Sequence, residues 1–86
     1  MYEIALSKEF KKESIKLVKK DRKLHSQIGK TLNLLNTNIN HKSLRLHKLE
    51  GTGYWSVSIN SSYRIKIKIE DKYIFCIKFG KHEDVY

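Results

Sequence analysis

The amino-acid sequence predicts an α+β fold: an N-terminal strand, then a two-helix hairpin packed on one face of a C-terminal antiparallel β-sheet. Two observations favour this class. Up to about residue 35, apolar side chains recur at helical spacing among charged residues, whereas later segments alternate apolar and polar side chains with a period of two. The 86 residues contain no repeat, linker or proline, so we expect a single domain, residues 1–86, with a shallow surface site.

Short polar residues indicate where the first elements begin and end. Residues 2–6 alternate as a strand does, and Ser7 is suited to cap a helix that continues to about residue 20. Asp21 is suited to cap a second helix, which the asparagine-rich segment 36–40 ends. The apolar faces of the two helices consist of Phe10, Ile15, Leu17 and Val18, and of Leu24, Ile28, Leu32, Leu34 and Leu35. Two such helices form a hairpin that needs another surface to pack on.

The second half of the chain provides that surface as a three- or four-strand antiparallel meander. The predicted strands are residues 44–49, 55–59, 63–70 and 73–79. Alternation places one set of side chains against the helices: Trp55, Val57, Ile59, Ile65, Ile67 and Ile69. It places another set on the open face: Ser56, Ser58, Arg64, Lys66 and Lys68. The open face of the sheet is therefore expected to be basic.

The charge balance favours a polyanionic partner such as nucleic acid. Eighteen lysine and arginine residues against nine acidic ones give a formal net charge of +9 and a pI near 9.7. Charge of this kind also improves solubility, so it does not identify the partner by itself.

The remaining composition narrows the class of protein. Cys76 is the single cysteine and lies in an apolar stretch, so no internal disulfide can form, and we expect a buried hydrophobe rather than a catalytic thiol. No apolar run is long enough to cross a bilayer and no signal peptide is evident, which predicts a cytoplasmic protein without membrane contact. The histidines have no metal-ligand spacing, and we expect neither a metal nor a cofactor.

Three segments carry a resemblance to a known family. They are Leu-His-Lys-Leu-Glu-Gly at 46–51, the pair of segments 54–60 and 63–65, and Gly-Lys-His-Glu-Asp-Val-Tyr at 80–86. In these segments the chain resembles the RelE/ParE superfamily of bacterial type II toxins, most closely the RelE and YafQ-like mRNA interferases. The resemblance implies a RelE-like fold, a ribosome-dependent endoribonuclease that cleaves mRNA and inhibits translation, and a cognate antitoxin as partner. It also implies binding to operator DNA through the antitoxin complex.

The chain departs from close YafQ-like members at two positions. Where some of those proteins carry histidine and aspartate, this sequence has Ser58 and Ser62. A weaker or rearranged acid–base apparatus is the corresponding expectation.

Metal-free RNA cleavage needs a base for the ribose 2′-hydroxyl, an acid for the departing 5′-oxygen and cations for the phosphate. His82 is the first candidate for acid or base, and the resemblance makes His47 the second. Arg64 is expected to grip the phosphate, and Tyr86 to stack on a base or orient the phosphate. The ordinary alternatives are a solvated histidine, a solvated arginine and a terminal tyrosine folded onto the core.

A further group of cations is predicted to guide the RNA backbone. Its members are Arg45, Lys48, Lys66, Lys68, Lys78 and Lys81. The lysines of the first helix are instead typical of a solvated face, with docking to ribosomal RNA as the alternative.

Two other functions compete with the ribonuclease. One is a ParE-like protein that inhibits DNA gyrase, and the other is a weakly active toxin homologue that mainly binds an antitoxin and, with it, operator DNA. The terminal segment with His82 and Tyr86 favours RNA chemistry over the first, and the serines at 58 and 62 motivate the second.

Overall fold

The computed structural model describes residues 1–81 of the chain. Its elements are β1 (Glu3–Leu6), α1 (Lys8–Val18), α2 (Arg22–Thr37), a 3₁₀ turn (Lys42–Leu44), β2 (His47–Leu49), β3 (Tyr54–Ser58), β4 (Tyr63–Glu70) and β5 (Tyr73–Lys81). The predicted α+β class and the order of its elements are confirmed.

Both helices begin at the residues that the sequence indicates. The Ser7 hydroxyl accepts a hydrogen bond from the Phe10 amide at 3.0 Å, and a carboxylate oxygen of Asp21 accepts one from the Leu24 amide at 3.1 Å. The apolar face of α1 is narrower than expected. Phe10 is buried, whereas Ile15 is 55% exposed, so the expectation that Ile15 belongs to the core is wrong.

The five strands form one sheet in the order β1-β5-β4-β3-β2. Strands β2 to β5 are the predicted antiparallel meander, while β1 pairs with β5 in parallel. The strand expected from residue 44 begins at His47 instead, because residues 42–44 form the 3₁₀ turn. That turn inserts Leu44 into the core, where its side chain is 1% exposed.

The core lies between the two helices and one face of the sheet. Val57, Ile65 and Ile67 are fully buried on that face, as alternation predicts, while Trp55, Ile59 and Ile69 are half-buried at its margin. The helices contribute Phe10, Leu24, Ile28 and Leu35. Burial of each large aliphatic side chain contributes roughly 1.5–3 kcal/mol, which fixes β4 with its isoleucines toward the helices.

A β-bulge reverses the alternation of β5. Lys66 pairs with Lys78 but Ile67 pairs with Cys76, so Ile77 is one extra residue in β5. Before the bulge the side chains at 74 and 76 enter the core, and after it the side chain of Phe79 does. The bulge therefore turns Lys78 toward the open face.

Ser7 ties β1 and α1 to this bulge. Its amide donates to the Cys76 carbonyl at 3.0 Å, and its hydroxyl donates to the Ile77 carbonyl at 2.7 Å while capping α1. Phe79 then packs edge-on against Phe10 of α1, with ring centroids 5.8 Å apart. One serine thus stabilises a helix terminus and the irregular point of the sheet together.

We expect Ser7→Ala to lower the free energy of unfolding by about 1–2 kcal/mol, because it removes the helix cap and leaves the Ile77 carbonyl without its donor. Urea unfolding followed by circular dichroism measures the change. The matched control is Ser14→Ala in the same helix, where the hydroxyl makes only a local bond to the Lys11 carbonyl, and it should change the free energy by less than about 0.5 kcal/mol. Equal effects of the two substitutions would contradict this role of Ser7.

Candidate functional site

The open face of the sheet presents two rows of paired residues. In one row Ser58 pairs with Arg64, which pairs with Gly80; in the other, the paired positions on the four strands are His47, Ser56, Lys66 and Lys78. Directly paired side chains on one face of an antiparallel sheet lie about 4.5–5.5 Å apart at Cβ. The register therefore brings a histidine of β2 and the cations of β4 and β5 onto one surface.

Arg64 lies above a buried serine. The Ser56 side chain is on the open face as predicted, yet it is fully buried beneath its neighbours. Nη1 of Arg64 donates to Oγ of Ser56 at 3.5 Å, the long end of the hydrogen-bond range. This contact holds the half-buried arginine against the sheet.

Arg45, His47 and Arg64 meet at one pocket. It has a volume of about 340 Å³ and is lined by these three residues and Leu46. Arg45 directly follows the 3₁₀ turn and has a left-handed backbone conformation, with φ 47° and ψ 50°. One histidine and two arginines, drawn from β2, β4 and the connecting turn, thus line a single open pocket.

The lysines predicted to guide RNA are divided between the two sides of the sheet. Lys66 and Lys78 are paired on the open face, and Nζ of Lys66 lies 4.4 Å from the ring centroid of Tyr54. Lys68 is also on this face, but it forms an exposed ion pair of 3.7 Å with Glu70. Lys48 pairs with Trp55 and Lys81 pairs with Tyr63, which places both on the helix side of the sheet, opposite His47 and Arg64.

The serines that depart from the YafQ-like pattern belong to the β3–β4 turn. The Ser58 hydroxyl donates to the Asn60 carbonyl at 2.9 Å. The side-chain oxygen of Asn60 accepts from the amides of Ser62 at 2.8 Å and Tyr63 at 2.9 Å. The Ser58 hydroxyl is therefore engaged within the turn, beside Arg64.

His82 and Tyr86 lie outside the described residues. Gly80, two residues before His82 in the sequence, pairs with Arg64.

Two features of this region were not predicted from the sequence. Ser56 looked like an ordinary outward-facing serine, although its position opposite Lys66, next to Arg64, follows from the strand register. Asn60 was predicted to lie in the turn after the strand at 55–59, but nothing in the sequence indicated that Asn60 and Ser43 lie close to Arg64, because that placement depends on how the connections fold back over the sheet.

No protein-family model and no curated protein sequence matches this chain. Solved structures do match it over nearly its whole length. A DinJ–YafQ complex from Escherichia coli has a TM-score of 0.80 and 23% identity, covering 100% of this chain and 99% of the matched one. The chain has a RelE-type toxin fold.

Two further structures place the same fold in other bacteria. A heterotetrameric YoeB–YefM toxin–antitoxin complex from Staphylococcus aureus has a TM-score of 0.77 and 22% identity, covering 95% of this chain and 98% of the matched one. A metal-bound toxin from Helicobacter pylori has a TM-score of 0.78 and 24% identity, with complete coverage of both chains. The predicted RelE-like resemblance is confirmed at the level of the fold.

Within residues 1–81 of this RelE-type fold, the His, Cys, Asp and Glu side chains form no group of three that could hold a metal ion. Across the same residues, no helix has both the length and the apolar character that crossing a membrane requires.

Cys76 is fully buried in the core, as its apolar sequence context predicts. Burial raises the pKa of its thiol from 9.0 to about 12, because the charged thiolate is poorly solvated there. The reactive thiolate form is therefore negligible near neutral pH, and the thiol contributes to packing rather than to catalysis.

The pKa of Cys76 predicts a pH dependence of stability. Between pH 9 and about 12 the folded chain keeps the thiol proton that the unfolded chain loses, so the free energy of unfolding falls as the pH rises. The slope is up to about 1.4 kcal/mol per pH unit. We expect Cys76→Ala to flatten this decline, measured by urea unfolding at several alkaline pH values; an unchanged slope would contradict the assignment.

Proposed function

We propose that this protein is the toxin of a type II toxin–antitoxin system and a metal-free endoribonuclease that cleaves mRNA on the ribosome and so inhibits translation. The observation that carries the proposal is the pocket shared by Arg45, His47 and Arg64 on the basic face of a RelE-type fold. The YafQ and YoeB structures support the toxin class, since each similar chain is a toxin seen with an antitoxin.

The proposed reaction uses the substrate's own ribose as nucleophile. The 2′-oxygen attacks the adjacent phosphorus while a base takes its proton, and the bond from phosphorus to the 5′-oxygen breaks as an acid protonates that oxygen. The products are a 2′,3′-cyclic phosphate and a 5′-hydroxyl end. The protein needs to supply proton transfer and positive charge, and the pocket contains groups of both kinds.

Each residue has a proposed role in this reaction. Arg64, braced against Ser56, binds the non-bridging phosphate oxygens and stabilises the charge that grows on them. His47 and His82 are the proton-transfer groups. Tyr86 stacks on a base or orients the phosphate, and the lysines of the open face, Lys66 and Lys78 in particular, attract the RNA backbone.

The proposed protein partner is a cognate antitoxin. The described surface offers it a groove of about 720 Å³ between α1 and the end of β5, with Leu17 and Phe79 among the residues that line it. Its lining contains more lysines than acidic residues, with Lys16 and Lys20 near Glu13, and this excess of positive charge favours an acidic segment. With that partner, binding to operator DNA is part of the proposal, and the ribosome and mRNA are the other partners.

Arg64→Ala should reduce mRNA cleavage in a translating extract by about 10²–10³-fold, because the phosphate loses its principal cation. Primer extension on the mRNA measures the cleavage. The matched control is Arg22→Ala, at an exposed position in the first turn of α2, which should leave cleavage within about twofold.

Equal cleavage by the Arg64 and Arg22 variants would remove Arg64 from the reaction. Inhibition of gyrase supercoiling by the wild-type protein, with mRNA intact, would favour the ParE-like alternative instead.

His47→Ala and His82→Ala should each lower cleavage by about 10²-fold or more, since each removes a proton-transfer group. The exposed His25 of α2 provides the matched control, and His25→Ala should retain wild-type cleavage. The cleavage rate of each variant should also be measured as a function of pH. If a variant keeps both the acidic and the basic limb of the wild-type profile, the histidine that it lacks does not transfer a proton.

A further inference from the structure

A second pocket adjoins the one that contains His47. It has a volume of about 320 Å³ and lies on the side of the β3–β4 turn, where Arg45 and Arg64 again form part of its wall. Ser43, Ser58, Asn60 and Ser61 contribute the polar remainder. Two neighbouring spaces therefore share the same two cations.

The wall of the second pocket favours an anion. Among residues 1–81, no carboxylate lines it, while two guanidinium groups do. Ser58 and the side-chain oxygen of Asn60 are engaged within the turn, which fixes its shape. A phosphodiester, with oxygens that accept several hydrogen bonds at once, has the chemistry that this wall recognises.

The backbone of Arg45 provides an independent observation. Within the described residues, two non-glycine residues have positive φ, Arg45 and Asp71. Aspartate tolerates a left-handed turn position because its short side chain can hydrogen-bond to the nearby backbone. The long arginine side chain has no such compensation for the steric cost of this conformation. The turn around Arg45 is firmly held: its amide donates to the Lys42 carbonyl at 3.2 Å, and the preceding Leu44 is buried.

Glycine or asparagine would adopt the left-handed backbone conformation of residue 45 at a lower energetic cost than arginine. An unfavourable residue at a well-ordered position beside a pocket points to a use for its side chain.

We propose that the second pocket binds the phosphate adjacent to the cleaved one, and that Arg45 is a phosphate-binding residue shared by the two. The ligand class is single-stranded RNA with at least two consecutive phosphodiesters. This inference rests on the proposed function, because it takes the pocket with His47 as the place of the cleaved phosphate.

The test uses the purified protein without ribosomes and two 2′-O-methyl RNAs, which lack the nucleophile and cannot be cleaved. One is a dinucleotide with a single phosphate, and the other is a trinucleotide with two. The trinucleotide should bind about tenfold tighter or more. Its logarithmic salt dependence should also be steeper by about 0.7, the value for one more phosphate contact on a single strand.

Arg45→Gly should abolish the tighter binding of the trinucleotide. Its free energy of unfolding in urea should equal or exceed that of the wild type, because glycine suits the left-handed backbone. This combination separates loss of a contact from loss of folding. If the Arg45→Gly protein still bound the trinucleotide more tightly than the dinucleotide by the wild-type factor, the proposed role of Arg45 would be overturned.

A matched pair of turn variants tests the pocket itself. Ser61 lines it and Ser62 does not, although both are exposed. Ser61→Asp should abolish the preference for the trinucleotide, because it places a carboxylate in the wall of the pocket. Ser62→Asp should retain most of that preference. Equal affinity of wild-type protein for the two RNAs, or equal loss in the two serine variants, would overturn the second site.

The proposed function fails separately from this inference. A wild-type protein that shows the trinucleotide gain but leaves mRNA intact in a translating extract would have the second phosphate site without the ribonuclease activity.

Discussion

The one-sided burial of β4 is the constraint on which the rest of the molecule depends. Ile65 and Ile67 are fully buried against the helices, so the residues between and beside them have no choice of face. A slip of one residue in register would exchange the isoleucines with Arg64 and Lys66, placing charges in the core. The same packing that stabilises the domain therefore keeps the Arg64 side chain on the opposite, open face of the sheet.

The neighbouring strand β5 pairs with β4 in this orientation only because it contains a β-bulge. An uninterrupted alternation would direct Lys78 inward and Phe79 outward. The extra residue Ile77 corrects the phase, and Ser7 supplies the hydrogen bond that its carbonyl accepts. The segment around β1 and Ser7 thus affects the open face of the sheet indirectly, by securing the bulge that orients the end of β5.

The fold class and the order of the elements could be predicted from the sequence because the signals for them are local. Ser7 and Asp21 cap helices with their own side chains, and the alternation in 63–70 assigns a face to every residue of β4. The parallel pairing of β1 could not be predicted, since it joins residues 70 positions apart. The bulge could not be predicted either, since it is a shift in the register between β4 and β5 that no turn or motif in the sequence marks. Leu44 was predicted to begin a strand because a leucine fits a strand and a 3₁₀ turn equally well. Only the packing of Leu44 into the core selects the turn.

The candidate site was predictable in its chemistry and less so in its arrangement. Residue types and the family resemblance pointed to Arg64 and His47, and the structure brings both to one pocket with Arg45. The faces of Lys48 and Lys81 required the register of two strand pairs. The buried support from Ser56 required knowledge of what covers it.

The pairing of β1 with β5 also has a consequence for biosynthesis. The first strand can find its hydrogen-bonding partner only after residues 73–76 have been synthesised, because Leu6 pairs with Cys76. Until then, Ser7 lacks the carbonyls of Cys76 and Ile77 to which it donates. The native sheet therefore cannot be completed until about 70 further residues have been added after the first strand, and this long-range pairing delays folding relative to synthesis.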